Sequence, residues 1–299
     1  MGRSLRLLGA AFCVTACATG RTTAPVHIAS RVPVALASTS SPAFGSVAPM
    51  EEVHVSSAPP PELACLVRYY DAAAARRDAG GWSLVLADGT TIPYDDGRAH
   101  KSLDERFDSP DVRDLYELTY PTGAIQPVTE VDFDPGRIRI DALMFATYGK
   151  TAREVQSALV PVLVGGKVFM VHRKIAEPLR RVAARVASAM KEDASLARFF
   201  DSPGGTFNWR RIAGTDTLSM HSWGIAIDLD TGRSNYWRNE TTREDAPVHW
   251  KNHYPPSLVD AFEAEGFVWG GRWYHFDTMH FEYRPELLDR GCYPSPSAR

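Results

Sequence analysis

The rhythm of apolar positions changes along the chain. An apolar stretch covers 7–16 behind Arg3 and Arg6. This run is well short of the roughly 20 residues a membrane-spanning helix needs. Between 18 and 61, Ala, Ser, Thr, Pro and Val dominate with no helical or strand period, and the segment ends in Ala58-Pro59-Pro60-Pro61, the composition of a flexible tether. Beyond 62 the periods return. The spacing suits a helix over 62–77 and a hairpin over 82–94 that turns at Asp88-Gly89. Thr151 and Glu154 form a capping box that opens a short helix. A second hairpin over 162–171 turns at Gly165-Gly166. From about Glu177, with Pro178 in the first turn, Leu179, Val182, Val186 and Met190 recur at helical spacing as one core-facing stripe. Residues 225–230 alternate strictly, placing Ile225, Ile227 and Leu229 on one face and Ala226, Asp228 and Asp230 on the other. A helix over 257–265 and strands over 267–273 and 279–283 close the pattern. No internal repeat is visible. The reading is α+β, a small antiparallel sheet with helices packed around it, in one domain over 62–295.

Composition narrows the function classes. With 44% hydrophobic residues the chain can bury a proper core, and a formal net charge of -3 with both signs mixed throughout leaves no basic stripe for phosphates. Nucleic acid is therefore not an expected partner. The run over 1–16 reads as a secretion signal. Its end, Val14-Thr15-Ala16-Cys17, resembles the lipobox of bacterial lipoproteins. That resemblance implies a diacylated Cys17 as the new N-terminus, a lipid-anchored tether over 17–61, and residence at the periplasmic or extracellular face of the cell envelope. Two or three acyl chains anchor firmly at about 0.8 kcal/mol per buried methylene. Cys13 would leave with the signal, so Cys65 and Cys292 remain as an even pair, expected to form a disulfide across nearly the whole domain.

Two short strings carry the chemistry. SMHSWGIAID over 219–228 sets His221 just before a strand and Asp228 on that strand's non-core face, with Gly224 and Ala226 leaving room beside them. DTMHFEY over 277–283 repeats the arrangement: Met279, Phe281 and Tyr283 face the core, while His280 and Glu282 face the other way. Two imidazoles and one carboxylate with an open fourth position make a catalytic zinc site on the sheet. One Zn²⁺ per chain is expected. Asp277 is then free to act as general base, and Glu282 to orient a ligand histidine or, paired with Arg284 at the surface, to do nothing.

HSWGIAID and DTMHFEY resemble the HxxGxAxD and [DE]xxH motifs of the zinc peptidases that include D-alanyl-D-alanine carboxypeptidases and dipeptidases and the L-alanyl-D-glutamate endopeptidases of phage lysins. The wording is strongest over 205–286, and the metal motifs occupy 205–288. The resemblance implies an α+β fold with a small antiparallel sheet, zinc on His221, Asp228 and His280, and an acidic base at Asp277. Aspartate there, with the GFVWGG strand over 266–271, is more similar to the endopeptidase branch than to the dipeptidases, which carry glutamate. FNWR over 207–210 departs from the vancomycin-resistance enzymes. Arg210 resembles the family arginine that meets an oxyanion or a substrate carboxylate, although Arg211 is its neighbour. Ser219 could line the site or only form a turn, and His275 could reach the oxyanion or leaving group or simply be packed. The expected substrate is the stem peptide of peptidoglycan, and the expected state a monomer. The rival is a wall-binding lipoprotein that keeps zinc but has lost turnover, a protein with no use for Asp277.

Other matches are decoys. Ser188 and Lys191 fit the SxxK of serine peptidases, but Ser188 lies late in an amphipathic helix and the KTG-like Lys150-Thr151-Ala152 precedes it. His249 and His253 lack the glutamate of a zincin helix, and Pro255-Pro256 follows.

Overall fold

The computed structural model describes residues 58–70, 73–212, 215–240 and 248–294. The signal sequence, Cys17 and nearly all of the tether lie outside the described residues. The fold is α+β. Helix α1 (Pro61–Tyr69) leads into a three-stranded antiparallel sheet of β1 (Ala73–Asp78), β2 (Gly81–Leu86) and β3 (Thr91–Pro93). Helices α2 (Leu103–Asp108), α3 (Asp141–Tyr148) and α4 (Ala152–Ser157) precede a separate hairpin of β4 (Leu159–Val164) and β5 (Lys167–His172). Helix α5 (Ala176–Glu192) packs against β4 and against α7 (Pro256–Glu263). The third sheet has the order β6-β7-β9-β8, from β6 (Pro203–Gly205), β7 (Ala226–Asp230), β8 (Phe267–Trp269) and β9 (His280–Tyr283). Short helices α6 (Trp237–Glu240) and α8 (Pro285–Leu288) complete the element list.

Several expectations needed correction. The expected helix over 62–77 stops at Tyr69, and the alanine-rich AAARRD becomes β1, paired from Ala73↔Leu86 to Asp78↔Gly81. Alanine's helix preference is worth only a few tenths of a kcal/mol per residue, and ladder pairing with the GWSLVL strand overrides it. The capping box at α4 forms by half: Thr151 Oγ1 accepts the Glu154 N–H at 3.2 Å, but the Glu154 carboxylate accepts from the Lys150 N–H instead of the cap residue's own. The strand expected over 267–273 ends at Trp269 and continues as a 3₁₀ turn.

Stripe and strand periods meet in one core. Leu179, Val182 and Val186 of α5 are fully buried, as are Ile225, Ile227, Leu229 and Phe281 on one face of the third sheet. Phe262 of α7 stacks on Phe281 with ring centres 4.2 Å apart. The opposite face of β7 and β9 is thereby fixed for the polar residues that alternate with this core.

The expected disulfide is present: Cys65 in α1 bonds Cys292, with a Cα–Cα distance of 5.5 Å across a sequence separation of 227 residues. Tyr69 and Arg68 both bond Asp289 beside it. Cys65→Ser or Cys292→Ser is expected to destabilise the domain by about 2–5 kcal/mol, the range for a long-loop disulfide. Denaturant melts with and without reductant would check this, and the serine variants should become insensitive to the reductant.

Candidate metal centre

His221 stands on a 3₁₀ turn over Met220–Trp223 whose N-cap is Ser219; the Ser219 Oγ accepts the His221 N–H at 3.4 Å. Gly224 ends that turn in the left-handed region at φ 66, and a Cβ there would lie 2.7 Å from Leu159 Cδ2. Glycine is thus required for the chain to turn into β7 against β4 and β5. On β7, Asp228 sits directly opposite His280 of β9 in the antiparallel register, so both side chains leave the same face. Asp277 is held by its N–H, which donates to the Gly270 carbonyl at 3.0 Å; any Cβ on residue 270 would strike the Asp277 carbonyl at 2.5 Å.

The three candidate ligand atoms converge. His221 Nε2, Asp228 Oδ1 and His280 Nδ1 lie 3.0 to 3.2 Å from one another. The hydrogen bonds behind the rings decide the tautomers. His221 Nδ1 faces the Thr206 carbonyl at 3.0 Å, which only accepts, so the proton is on Nδ1 and the Nε2 lone pair faces the site. His280 Nε2 faces Glu282 Oε2 at 3.1 Å. Burial would raise the Glu282 carboxyl, but the Arg139 guanidinium and His280 bring it down to about 2. It accepts the Nε2–H and leaves Nδ1 bare. Two lone pairs and a carboxylate oxygen this close repel one another unless a cation lies among them. Burial opposes charge on His280, yet hydrogen bonds to Asp228 and Glu282 push it up to about 10. A proton and a metal ion thus compete for the same spot. A tetrahedral zinc with bonds near 2.0–2.1 Å separates its ligand atoms by roughly 3.3 Å, close to the spacing here, so the donor set fits that ion. The other metal-like groups among the described residues fit none: Cys65 and Cys292 are joined, and Lys101 Nζ already sits between Asp96 and Asp111 at 2.8 and 3.0 Å.

Asp277 lines the same cleft of about 300 Å³. Its Oδ1 is buried without a hydrogen-bond partner. Burial pushes its carboxyl up to about 6, helped by the charge of Asp228. Arg210 is exposed, lines the cleft and makes no ion pair among the described residues; Arg211 is engaged by Asp216 and does not line it. Ser219 both caps the turn and lines the cleft. His275 lines it too, with Nδ1 2.6 Å from Asp134 Oδ2. Met279 was expected in the core but is half-buried at the cleft. His249 and His253 are exposed, and so are Ser188 and Lys191.

Glu282 is not a surface residue. It is fully buried, and its partner Arg284 is 1% exposed. Arg284 Nε donates to Glu286 at 2.6 Å, and Tyr70 donates to the other oxygen of Glu286 at 3.0 Å, so a buried line of polar groups runs from Tyr70, at the end of α1, to the candidate ligand His280. Glu282→Gln is expected to weaken zinc binding by about 10–100-fold, the usual cost of losing a group that orients a ligand histidine. Competition against a chromophoric chelator would measure it.

Residues 132–140 supply the wall that sequence reading missed. Asp134 holds His275, Arg137 pairs with Asp134 at 3.0 Å, and Arg139 donates to the Leu218 carbonyl and lies 3.7 Å from Glu282. The alternation Arg137-Ile138-Arg139-Ile140 after the turn residues Pro135-Gly136 was the available signal: both isoleucines are buried and both arginines line the cleft.

Paired histidines, a cross-strand carboxylate and an unsatisfied acid beside them define a site of the metallohydrolase type. Residues 213–283 match a peptidase family described as D-alanyl-D-alanine carboxypeptidase. The matched segment contains His221, Asp228, Asp277 and His280 and stops short of the 132–140 wall. The match supports a peptidase. No solved structure matches the chain.

Proposed function

We propose that this chain is a zinc peptidase, a relative of the D-alanyl-D-alanine carboxypeptidases and L-alanyl-D-glutamate endopeptidases, that hydrolyses the stem peptide of bacterial peptidoglycan. The observation that carries the reading is the convergence of three acceptor atoms within 3.2 Å, each histidine having its other nitrogen already engaged. One Zn²⁺ on His221, Asp228 and His280 would supply Lewis acidity. Asp277, which lines the cleft and has one buried oxygen without a donor among the described residues, accepts the proton of the attacking water. Arg210 has a guanidinium free to pair with a substrate carboxylate, for which its planar fork is suited. Both candidate bonds, L-Ala-D-Glu and D-Ala-D-Ala, bring a carboxylate to that position. Asp277 and the aromatic Trp269-Gly270-Gly271 segment favour cleavage within the stem peptide, and the tether suits a polymer over a diffusing dipeptide. Little action on free D-Ala-D-Ala is therefore expected.

Digestion of defined wall peptides followed by mass measurement of the products tests the reading. New fragments that disappear with a chelator support it. Peptides retained but uncut would favour the wall-binding alternative, and rapid hydrolysis of free D-Ala-D-Ala with intact stem peptides would reverse the substrate order. The domain over 62–295 is proposed to act from a lipid anchor at Cys17 in the cell envelope. Cys17→Ser should move the protein from the membrane fraction to the soluble one, and an unchanged partition would remove the anchor.

A further inference from the structure

The cleft contains a second acid–base pair that the hydrolytic scheme above does not use. Asp134 is 4% exposed and spends both oxygens on one residue: Oδ1 accepts the backbone N–H of His275 at 2.9 Å, and Oδ2 faces its ring Nδ1 at 2.6 Å. Arg137 bonds the same Oδ2 at 3.0 Å. Burial alone would raise the Asp134 carboxyl, but the hydrogen bond from His275 and the charge of Arg137 hold it below the usual carboxylate range. An ionised Asp134 accepts from Nδ1–H and so directs the opposite edge of the ring, Nε2, away from itself. That nitrogen has no partner among the described residues, while the residue lines the cleft with Asp277 and the ligand histidines. Two rings keep the imidazole in place: Trp237, edge-on at 4.6 Å, and Tyr274 at 5.0 Å. A buried carboxylate that fixes one imidazole nitrogen and leaves the other facing a reaction cleft is the arrangement that makes histidine a proton donor and acceptor.

We infer that His275 is a catalytic residue, the acid that protonates the leaving amine, and that Asp134 is its positioning residue. The inference rests on the peptidase reading. When the tetrahedral adduct collapses, the C–N bond breaks and its electron pair stays on nitrogen. An amide anion is too basic to leave alone, so the proton on His275 Nε2 passes to it, and product leaves as the amine. His275, now neutral with Nδ1–H still on Asp134, is reprotonated by Asp277, which took its proton from the attacking water. Protons balance over the turnover without any further reagent. Division of labour between two groups leaves Asp277, whose Oδ1 has no donor among the described residues, to take the water's proton and pass it on to His275, not to the leaving amine. Asp134 lies outside the segment 213–283 that matches the peptidase family, so this acid is assembled across the boundary of that segment.

The test compares two substrates: a stem peptide, and its analogue with a thioester in place of the amide that the wild-type enzyme cuts. A thiolate, with a conjugate-acid pKa of about 8.5, leaves without a proton, whereas the amine cannot. His275→Gln is expected to lose about 10²-fold or more on the amide, the range of general acid catalysis, and to stay within a few-fold of wild type on the thioester. Asp134→Asn should show the same split with a smaller loss, because the ring remains but its tautomer is no longer fixed. Equal losses on both substrates, or a near-normal amide rate in folded His275→Gln, would overturn the assignment. If wild type cuts neither substrate, the peptidase reading itself falls and the inference with it.

Discussion

Asp277→Asn should keep its metal and lose turnover by about 10²–10⁴-fold, the contribution of a well-placed general base. The substitution preserves shape, and Asp277 is not among the three converging ligand atoms, so zinc content should match wild type. It removes a buried carboxylate oxygen, on a residue lining the cleft, that has no donor among the described residues. Direction of pH dependence follows from the same burial. A carboxyl pushed up to about 6 is deprotonated, and active as a base, above that value and lost below it. A divalent ion beside it pulls the value down, so the acidic limb of kcat/KM should lie at or below pH 6 and vanish from the residual activity of the variant. A near-normal rate in Asp277→Asn would remove it as the base.

The converse separation belongs to the ligands. His221→Ala and His280→Ala should each drop zinc from one per chain towards none and abolish activity, because two remaining ligand atoms hold the ion poorly. Metal analysis of purified, dialysed protein reads this directly. The variants should stay folded, since the third sheet is held by its aromatic face: Phe262, Trp269 and Phe281 are fully buried and need nothing from the metal side. Equal zinc in wild type and both variants would place the ion elsewhere. Taken with Asp277→Asn, the two experiments split binding from chemistry within one cleft.

Much of this geometry is legible in the sequence because strand alternation is a strong local signal. Strict period two over 225–230 puts Asp228 opposite the core, and the same rule puts His280 on the matching face of β9. Only their register, Asp228↔His280, needs the folded sheet. The helix at 73–78 fails for the opposite reason: alanine's preference is weak, and the partner strand that overrules it lies further along the chain. Glu282 and Arg284 show what adjacency cannot tell. The pair reads equally well as a surface ion bridge, and the partners that meet it in the interior include Gly136 and Tyr70, residues far away in sequence, beside the neighbouring Glu286. Asp134 and Arg139 are missed for the same cause, since their partners His275 and Glu282 are more than a hundred residues distant. His275 is visible as a candidate, but its direction is decided by Asp134.

Closing Cys65 onto Cys292 also makes a covalent ring of nearly the whole domain. One peptide-bond cut inside that ring, at any loop a foreign protease reaches, opens the circle without releasing a fragment. The severed ends stay within one molecule, at the high effective concentration of an intramolecular contact, and the segments that carry His221 and His280 remain joined. For an enzyme proposed to work outside the cytoplasm, among the proteases of its neighbours, a first nick would show as a shift only on a reducing gel.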